Sequence, residues 1–321
     1  MDQIVRAALP TISRPLTDVI DDFVLLKRSI HTQIAYRNDI EQFFNKLGWV
    51  MLEDLAAIQF SELVSHLQKY INELKKVESK ENRQRVINGK TVNRKVNALR
   101  AFFKYLVSVY GYPKNPLDQF TNLKTDNFSN TESLSRSEVI DLLEYAKANH
   151  RKNQTGFRNY LMVIFLFNLA LRVEECSTLQ WNDLDLAMQK VNIYQKGGSY
   201  KLLPLPHSLC LLIQEFKALY GDTCPYIFHP LRNNSHNTIN KPISTRNVFN
   251  IIKAMSLKVV PAKKITPHSL RKTFIELALD NGDDLIAICN ATGHNSVEMV
   301  KYYDTRDSLK NNAVNSLAGL I

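Results

Sequence analysis

Two arginines, two histidines and a tyrosine, spread over the second half of a 321-residue chain, have the types and spacing needed to cleave a phosphodiester without a metal ion. Gly293-His294 is followed nine residues on (303 − 294 = 9) by Tyr303, at the end of a short helical run. Upstream stand His268-Ser269-Leu270-Arg271 and, further back, Ala170-Leu171-Arg172-Val173-Glu174-Glu175. The transition state of phosphoryl transfer gathers negative charge on its non-bridging oxygens, and fixed cationic donors supply most of its stabilisation. Arginine suits that task because its planar fork donates two hydrogen bonds to phosphate and keeps its charge. A tyrosine hydroxyl can attack, provided its proton is removed as it does so, since its ordinary pKa is about 10. The departing sugar oxygen needs an acid, and a lysine can provide one. Nothing in this chemistry calls for a metal, a cofactor or ATP, and the chain has no carboxylate cluster of the kind a metal-dependent nuclease uses. Taken singly, each histidine reads as a turn or core contact, Arg172 as an ion-pair partner of Glu174 or Glu175, and each tyrosine as a packing ring. Taken together, their order and spacing argue for a site.

The elements that must hold these residues are mainly helical. Ser135 with Glu138 three residues on makes a capping box, so a domain opens at about residue 134 and runs to 304. Within it, Val191-Asn192-Ile193-Tyr194, a Gly197-Gly198 turn and Lys201-Leu202-Leu203-Pro204-Leu205 read as a β-hairpin with Lys196 at its tip. The apolar run Tyr160–Phe167 breaks at Asn168, which makes it a buried helix and too short for a membrane span. Residues 16–117 read as a separate helical bundle: Leu16, Val19, Ile20, Phe23 and Val24 repeat at helical spacing, as do Tyr36, Ile40, Phe43, Phe44 and Leu47. A third helix is expected over Phe60–Leu74 and a fourth over Val92–Val109, with Thr91 as its N-cap. Pro113 and Pro116 stop the fourth helix, and the polar stretch 118–133 reads as a linker. Residues 1–15 form an amino-terminal extension. The tail 305–321, with Ala313, Val314, Leu317 and Leu320, has the pattern of an apolar helix, packing either on its own domain or on a neighbouring protomer.

The charge balance points to a polyanionic partner. The formal net charge is +10, from 41 Lys and Arg against 31 Asp and Glu. Between residues 75 and 104 lie Lys75, Lys76, Lys80, Arg83, Arg85, Lys90, Arg94, Lys95, Arg100 and Lys104, with only Glu78 and Glu81 opposing them. A merely solvated face mixes signs, so this excess reads as a surface for nucleic acid, with the polar face of the fourth helix lying along a DNA groove. Cys176, Cys210, Cys224 and Cys289 show no metal-ligand spacing and read as buried thiols of a reducing compartment. With no secretory signal pattern at the amino terminus, a cytoplasmic, nucleoid-associated protein with no membrane partner is expected.

These motifs resemble those of the tyrosine recombinases, the integrase group that includes Xer-type and phage enzymes. Ala170–Glu175 resembles the box T-G-L-R-I-S-E, and Gln195–Pro204 resembles the hairpin G-K-G-x-K-x-R-x-V-P-L, with lysine and proline in register. Thr266–Phe274 is similar to T-P-H-x-L-R-H-T-F, Thr292-Gly293-His294 to L-G-H, and Tyr303 falls at the spacing of the nucleophile. The resemblance implies a mainly α fold with a small β-sheet: a helical, SAM-like core-binding domain followed by a mixed catalytic domain, closing around duplex DNA as a clamp. It implies that Arg172 and Arg271 grip the scissile phosphate, that His268 assists proton transfer, and that Lys196 protonates the 5′ leaving group. His294 would hydrogen-bond the phosphate, Glu175 would act from behind, and Tyr303 would form a 3′-phosphotyrosyl link. Tyr302 is adjacent; only one of two neighbouring helical residues can face the phosphate, and the spacing from His294 favours Tyr303. Four protomers on two duplexes, each with a specific core site, would pass through a Holliday junction, with or without a second recombinase or a DNA-bending accessory protein. The short extension before residue 16 favours a simpler Xer-like or element-encoded enzyme over one with an arm-binding domain. Three departures stand out: Ala170 for glycine, Ser199 for the hairpin's second lysine, and Thr292 for leucine. Two other readings stay open: a non-catalytic DNA-binding protein on the same scaffold, and a type IB topoisomerase-like enzyme.

Overall fold

A computed structural model describes residues 14–75, 89–124, 131–195, 198–222, 224–231 and 240–304. The chain divides into two compact units, Met1–Asp126 and Asn127–Ile321. In the first, α1 (Leu16–Leu25), α2 (Ile30–Leu47), α3 (Leu52–Ala57), α4 (Phe60–Lys75) and α5 (Gly89–Tyr110) bury one apolar stripe each against a common core. Phe23, Phe44 and Phe102 form its aromatic centre, with ring centroids 5.4 Å apart for Phe23–Phe102 and 5.8 Å for Phe44–Phe102. α3 is a six-residue helix, too short to show a period in the sequence. α5 starts at Gly89, so Thr91, expected as the N-cap, lies inside the first turn. An N-cap residue has non-helical backbone, whereas Thr91 already lies within the helix, so it cannot be the cap. The expected linker is packed where it is described. Phe120 and Leu123 lie against the helical core, and Asn93 exchanges hydrogen bonds of 2.9 and 2.8 Å with the backbone of Leu123.

The second unit carries α6 (Arg136–His150), α7 (Gln154–Asn168), α8 (Val173–Ser177), β1 (Leu184–Asp185), β2 (Lys190–Tyr194), β3 (Tyr200–Pro204), α9 (His207–Tyr220), α10 (Thr245–Val259), α11 (Pro267–Asp280), α12 (Leu285–Thr292) and α13 (Val297–Lys301). The capping box at α6 forms as expected: the Glu138 amide donates to Ser135 Oγ at 3.3 Å, and Ser135 N donates to Glu138 Oε2 at 2.7 Å. α7 is the central helix, with Phe157 and Tyr160–Leu166 all buried in the main core. Its apolar girth is therefore core, and no described helix is long and apolar enough to cross a membrane. The three strands form an antiparallel sheet in the order β1-β2-β3, with Ile193 opposite Lys201 and Tyr194 opposite Tyr200. Thr266 caps α11 by accepting from the Ser269 amide at 3.2 Å, and Pro267 occupies the first helical position, where its missing N–H costs nothing. A smaller cluster joins α11, α12 and α13 through Ile275, Leu279, Ile288, Val300 and the Tyr303 ring. All four cysteines are buried and form no disulfide.

Candidate active site

The carboxyl end of α12 gathers the site. The last carbonyls of a helix have no intrahelical partner and carry its negative dipole end, so they attract cations. Here three consecutive carbonyls each accept from a different cationic side chain. Lys201 Nζ donates to Ala291 O at 2.9 Å, Arg271 Nη2 to Thr292 O at 2.6 Å, and Arg172 Nη2 to Gly293 O at 3.2 Å. Gly293 turns the chain out of α12 with φ +69°, where a side chain is strained, and a Cβ there would also collide with the Gln195 side chain. The turn thus requires glycine on conformational grounds, and the residue after β2 packs directly on it.

Each arginine has a second anchor. Arg271 is 1% exposed, and its Nη1 donates to Ala170 O at 2.5 Å. Ala170 adopts φ +46°, the left-handed region a glycine would occupy without strain, so the departure at this position is a backbone matter as well as one of packing. Burial first, and the neighbouring Arg172 next, lower the Arg271 pKa to about 10, which leaves it charged at neutral pH. Arg172 lies at the start of α8. Glu175, buried one turn on, accepts from Arg172 N at 2.8 Å and from Arg172 Nη1 at 2.8 Å, so one carboxylate fixes both the helix start and the guanidinium.

The histidines differ in environment. His294 is buried: Arg271 Nη2 approaches its Nε2 at 3.2 Å, and Thr292 Oγ1 lies 2.9 Å from its Nδ1. Burial, and then the positive charges of Arg271, Arg172, His268 and Lys201, push its pKa down to about 3, so the ring is neutral. His268 opens to solvent on one side of the first turn of α11. Its pKa is also lowered, by partial desolvation first and then by Arg271, Arg172 and Lys272. Tyr303 Oη is 3.4 Å from His268 Nε2, and its ring stacks on His294 at 5.9 Å between centroids with 27° between planes. Tyr302 meets the Tyr303 ring edge-on at 5.4 Å and is less buried. The structure therefore brings Arg172, Glu175, His268, Arg271, His294 and Tyr303 to one place. Lys196 lies outside the described residues, as do Lys76, Lys80, Arg83, Arg85 and the expected tail helix.

Lys201 is the member the sequence reading missed. It stands at an inward position of β3, 8% exposed, where the related hairpin pattern has arginine. Burial lowers its pKa to about 8, with Arg271 and Arg172 adding to the shift and Glu175 opposing it. The signal was available in the alternation of the strand, since Lys201 shares the buried face with Leu203.

On the helical unit, Lys75, Lys90 and Lys104 are exposed. Arg94 and Lys95 both pair with the buried carboxylate of Asp39, Lys95 at 3.2 Å. Arg100 has an internal task not foreseen for a residue of the expected DNA face: Nη2 donates to Phe120 O at 2.5 Å and Nε to Leu117 O at 3.4 Å, strapping residues 117–122 to α5. No group of three or more His, Cys, Asp or Glu side chains that could hold a metal ion occurs among the described residues.

Comparison with known proteins gives the family. Residues 132–309 match the phage integrase family, and residues 23–109 match the phage integrase N-terminal SAM-like domain. A tyrosine recombinase of Pseudothermotoga lettingae is 28% identical over 292 residues, covering 90% of this chain and 92% of its own. The recombinase XerD of Staphylococcus saprophyticus is 25% identical over 288 residues, covering 88% and 90%. The fold is shared with the Tn1549 transposon integrase in complex with transposon right end DNA (TM-score 0.66, 15% identity, 96% and 99% covered). It is also shared with the XerH recombinase bound to a palindromic difH substrate (TM-score 0.62, 16% identity, 99% of each chain). With the family match spanning more than half of the chain and the motif residues converging on one helix end, the chain belongs to the phage integrase family of tyrosine recombinases, enzymes that break and rejoin DNA strands.

Proposed function

We propose that the protein is a site-specific DNA recombinase in which Tyr303 is the nucleophile. The observation that carries this reading is the 3.4 Å contact of Tyr303 Oη with His268 Nε2, beside two arginines held on one helix end. In the proposed reaction Arg172 and Arg271 hold the non-bridging oxygens of the scissile phosphate, leaving their carbonyl contacts in part for the stronger anionic acceptor. Tyr303 Oη attacks phosphorus, its proton passing to the neutral His268, while the bond to the 5′ oxygen breaks. That oxygen takes a proton from Lys196. The product is a 3′-phosphotyrosyl link, which conserves the phosphoester energy, so the 5′ hydroxyl of a partner strand can reverse the step without ATP or metal. Glu175 keeps Arg172 aimed. Two rounds of exchange between two duplexes, through a Holliday junction and within a tetramer, complete the reaction. The exposed Lys75, Lys90 and Lys104, with Arg94 and Lys95, contribute phosphate contacts from the helical domain.

The test uses a nicked suicide duplex carrying the site that the protein selects from a random pool. Wild type, Tyr303→Phe and Tyr302→Phe are compared for a covalent adduct on a denaturing gel. An adduct lost only in Tyr303→Phe is the expected result. An adduct lost only in Tyr302→Phe moves the nucleophile by one residue, and no adduct from any variant despite tight binding favours a non-catalytic DNA-binding protein. Relaxation of plasmids lacking the site would favour the topoisomerase-like alternative.

A further inference from the structure

Thr292 stands where the resembling motif has leucine, and its side chain is fully buried against His294. The hydrogen-bond directions along this chain are fixed by its two ends. Arg271 can only donate, so His294 Nε2, 3.2 Å from Nη2, must accept. At the other end the Ile288 carbonyl can only accept, and Thr292 Oγ1 lies 2.6 Å from it, with the Cys289 carbonyl further off at 3.4 Å. The hydroxyl proton therefore goes to Ile288 O. That leaves the oxygen's lone pairs to accept a proton from His294 Nδ1 at 2.9 Å. Read from Arg271 to Ile288, every donor meets one acceptor, and only the Nδ1–H tautomer of a neutral His294 satisfies the series.

We propose that Thr292 is a positioning residue that sets the protonation of His294: its hydroxyl holds the Nδ1 proton, so the DNA-free protein presents an Nε2 lone pair to Arg271, and a phosphate that draws Arg271 away must bring a proton to Nε2. This rests on the reading of the site as a phosphate site. A leucine at the position would offer Nδ1 no acceptor. The groups facing His294 are Arg271 and His268 from α11, Arg172 from the start of α8 with Glu175 behind it, Lys201 from β3, and Tyr303 after α13. Burial first, and then four of these groups that are or can become positive, hold the ring neutral in the DNA-free protein. A bound phosphate reverses that balance, and the imidazolium then donates from Nε2 to phosphate and from Nδ1 to Thr292.

The experiment has two arms. Long-range proton–nitrogen spectra of ¹⁵N-histidine-labelled, DNA-free protein read the His294 tautomer in wild type, Thr292→Val and Thr292→Ser. The expected result is Nδ1–H in wild type and Thr292→Ser; in Thr292→Val the Nδ1–H loses its acceptor while Arg271 still opposes a proton on Nε2, so the two tautomers draw closer in free energy and the shifts move towards averaged values. In the second arm, calorimetric titration of the selected duplex into Tyr303→Phe protein, in buffers of different ionisation enthalpy, measures proton uptake. Uptake is expected in Tyr303→Phe alone and when it is combined with Thr292→Ser, and a smaller uptake when it is combined with Thr292→Val. Because the valine leaves a buried Nδ1–H without an acceptor, Thr292→Val should also cleave the suicide duplex about tenfold more slowly, with Thr292→Ser near wild type. An Nε2–H ring in the wild type, a Thr292→Val spectrum identical to wild type, or binding without proton uptake overturns the inference. Adduct formation that is normal in Thr292→Val sinks this inference alone, whereas an Nδ1–H ring in a wild type that forms no adduct sinks the recombinase reading and leaves the relay standing.

Discussion

Replacing Lys201 by methionine should make the DNA-free protein more stable, not less. Lys201 is charged at neutral pH yet almost fully buried, and burial with two neighbouring arginines brings its pKa from 10.5 to about 8. A lowering of that size corresponds to a cost of about 3 kcal/mol for keeping the folded-state charge. Against it stands the charge-assisted hydrogen bond to Ala291 O, which contributes about 1.5–3 kcal/mol. Methionine has nearly the same shape, needs no hydration and fills the same space. The Ala291 carbonyl, at a helix end, keeps the option of water. The balance at pH 7 is a gain of about 1 kcal/mol for Lys201→Met, or roughly 2–4 °C in the melting temperature of a domain of this size. The pH dependence is sharper than the absolute value. Between pH 8 and 10.5 the unfolded chain still binds the proton that the folded protein has released, so wild-type stability rises with pH across that window. Below pH 8 the full cost is present. Lys201→Met lacks this rise, so its advantage should shrink by about 2.5 kcal/mol between pH 7 and pH 10 and turn into a deficit. Denaturant melts of both proteins at the two pH values decide it. A variant less stable than wild type at pH 7 by more than about 1 kcal/mol, or a difference that ignores pH, would refute the reasoning.

Three further outcomes are expected. Ala170→Gly should leave stability within about 1 kcal/mol of wild type although it removes a buried methyl, because relief of the positive φ offsets the lost burial; Ala170→Val should lose more than about 2 kcal/mol, read by denaturant melts. Arg100→Met should destabilise the helical unit by about 2 kcal/mol and open residues 117–124 to protease, without a base-specific change in DNA binding. His294 holds off its proton down to about pH 3, whereas the unfolded chain takes one up near 6.5, so stability falls as pH falls through that window. Between pH 7 and pH 4, therefore, wild type should lose more melting temperature than His294→Gln does.

The motif residues were legible because each belongs to a short box whose order survives in the chain, and the capping box at Ser135 and the hairpin were legible from local chemistry alone. What the sequence did not disclose depends on partners far away in the chain. Arg100 looks like a DNA-facing residue by its helical period, but the carbonyls of Leu117 and Phe120 are returned to it by a turn no periodicity describes. The backbone cost of an alanine at 170 shows only once its φ is known. Lys201 lies on a buried strand face, and only the folded chain shows that α12 ends there. α3 and α8 are too short to display a period, and β1 is two residues long. Tyr302 and Tyr303 are neighbours in sequence, and the end of α13 turns the Tyr303 ring toward both His268 and His294.

The central claim is that Tyr303 attaches to DNA, and the covalent peptide tests it most directly. Trypsin cleaving after Lys301 and Arg306 releases Tyr302-Tyr303-Asp304-Thr305-Arg306 from an adduct formed on the suicide duplex and trimmed with nuclease. Fragmentation by mass spectrometry should place the phosphonucleotide on the second tyrosine, linked through a 3′ phosphate. Modification of Tyr302, a 5′ linkage, or an unmodified pentapeptide from a preparation that has cleaved its DNA would contradict the mechanism.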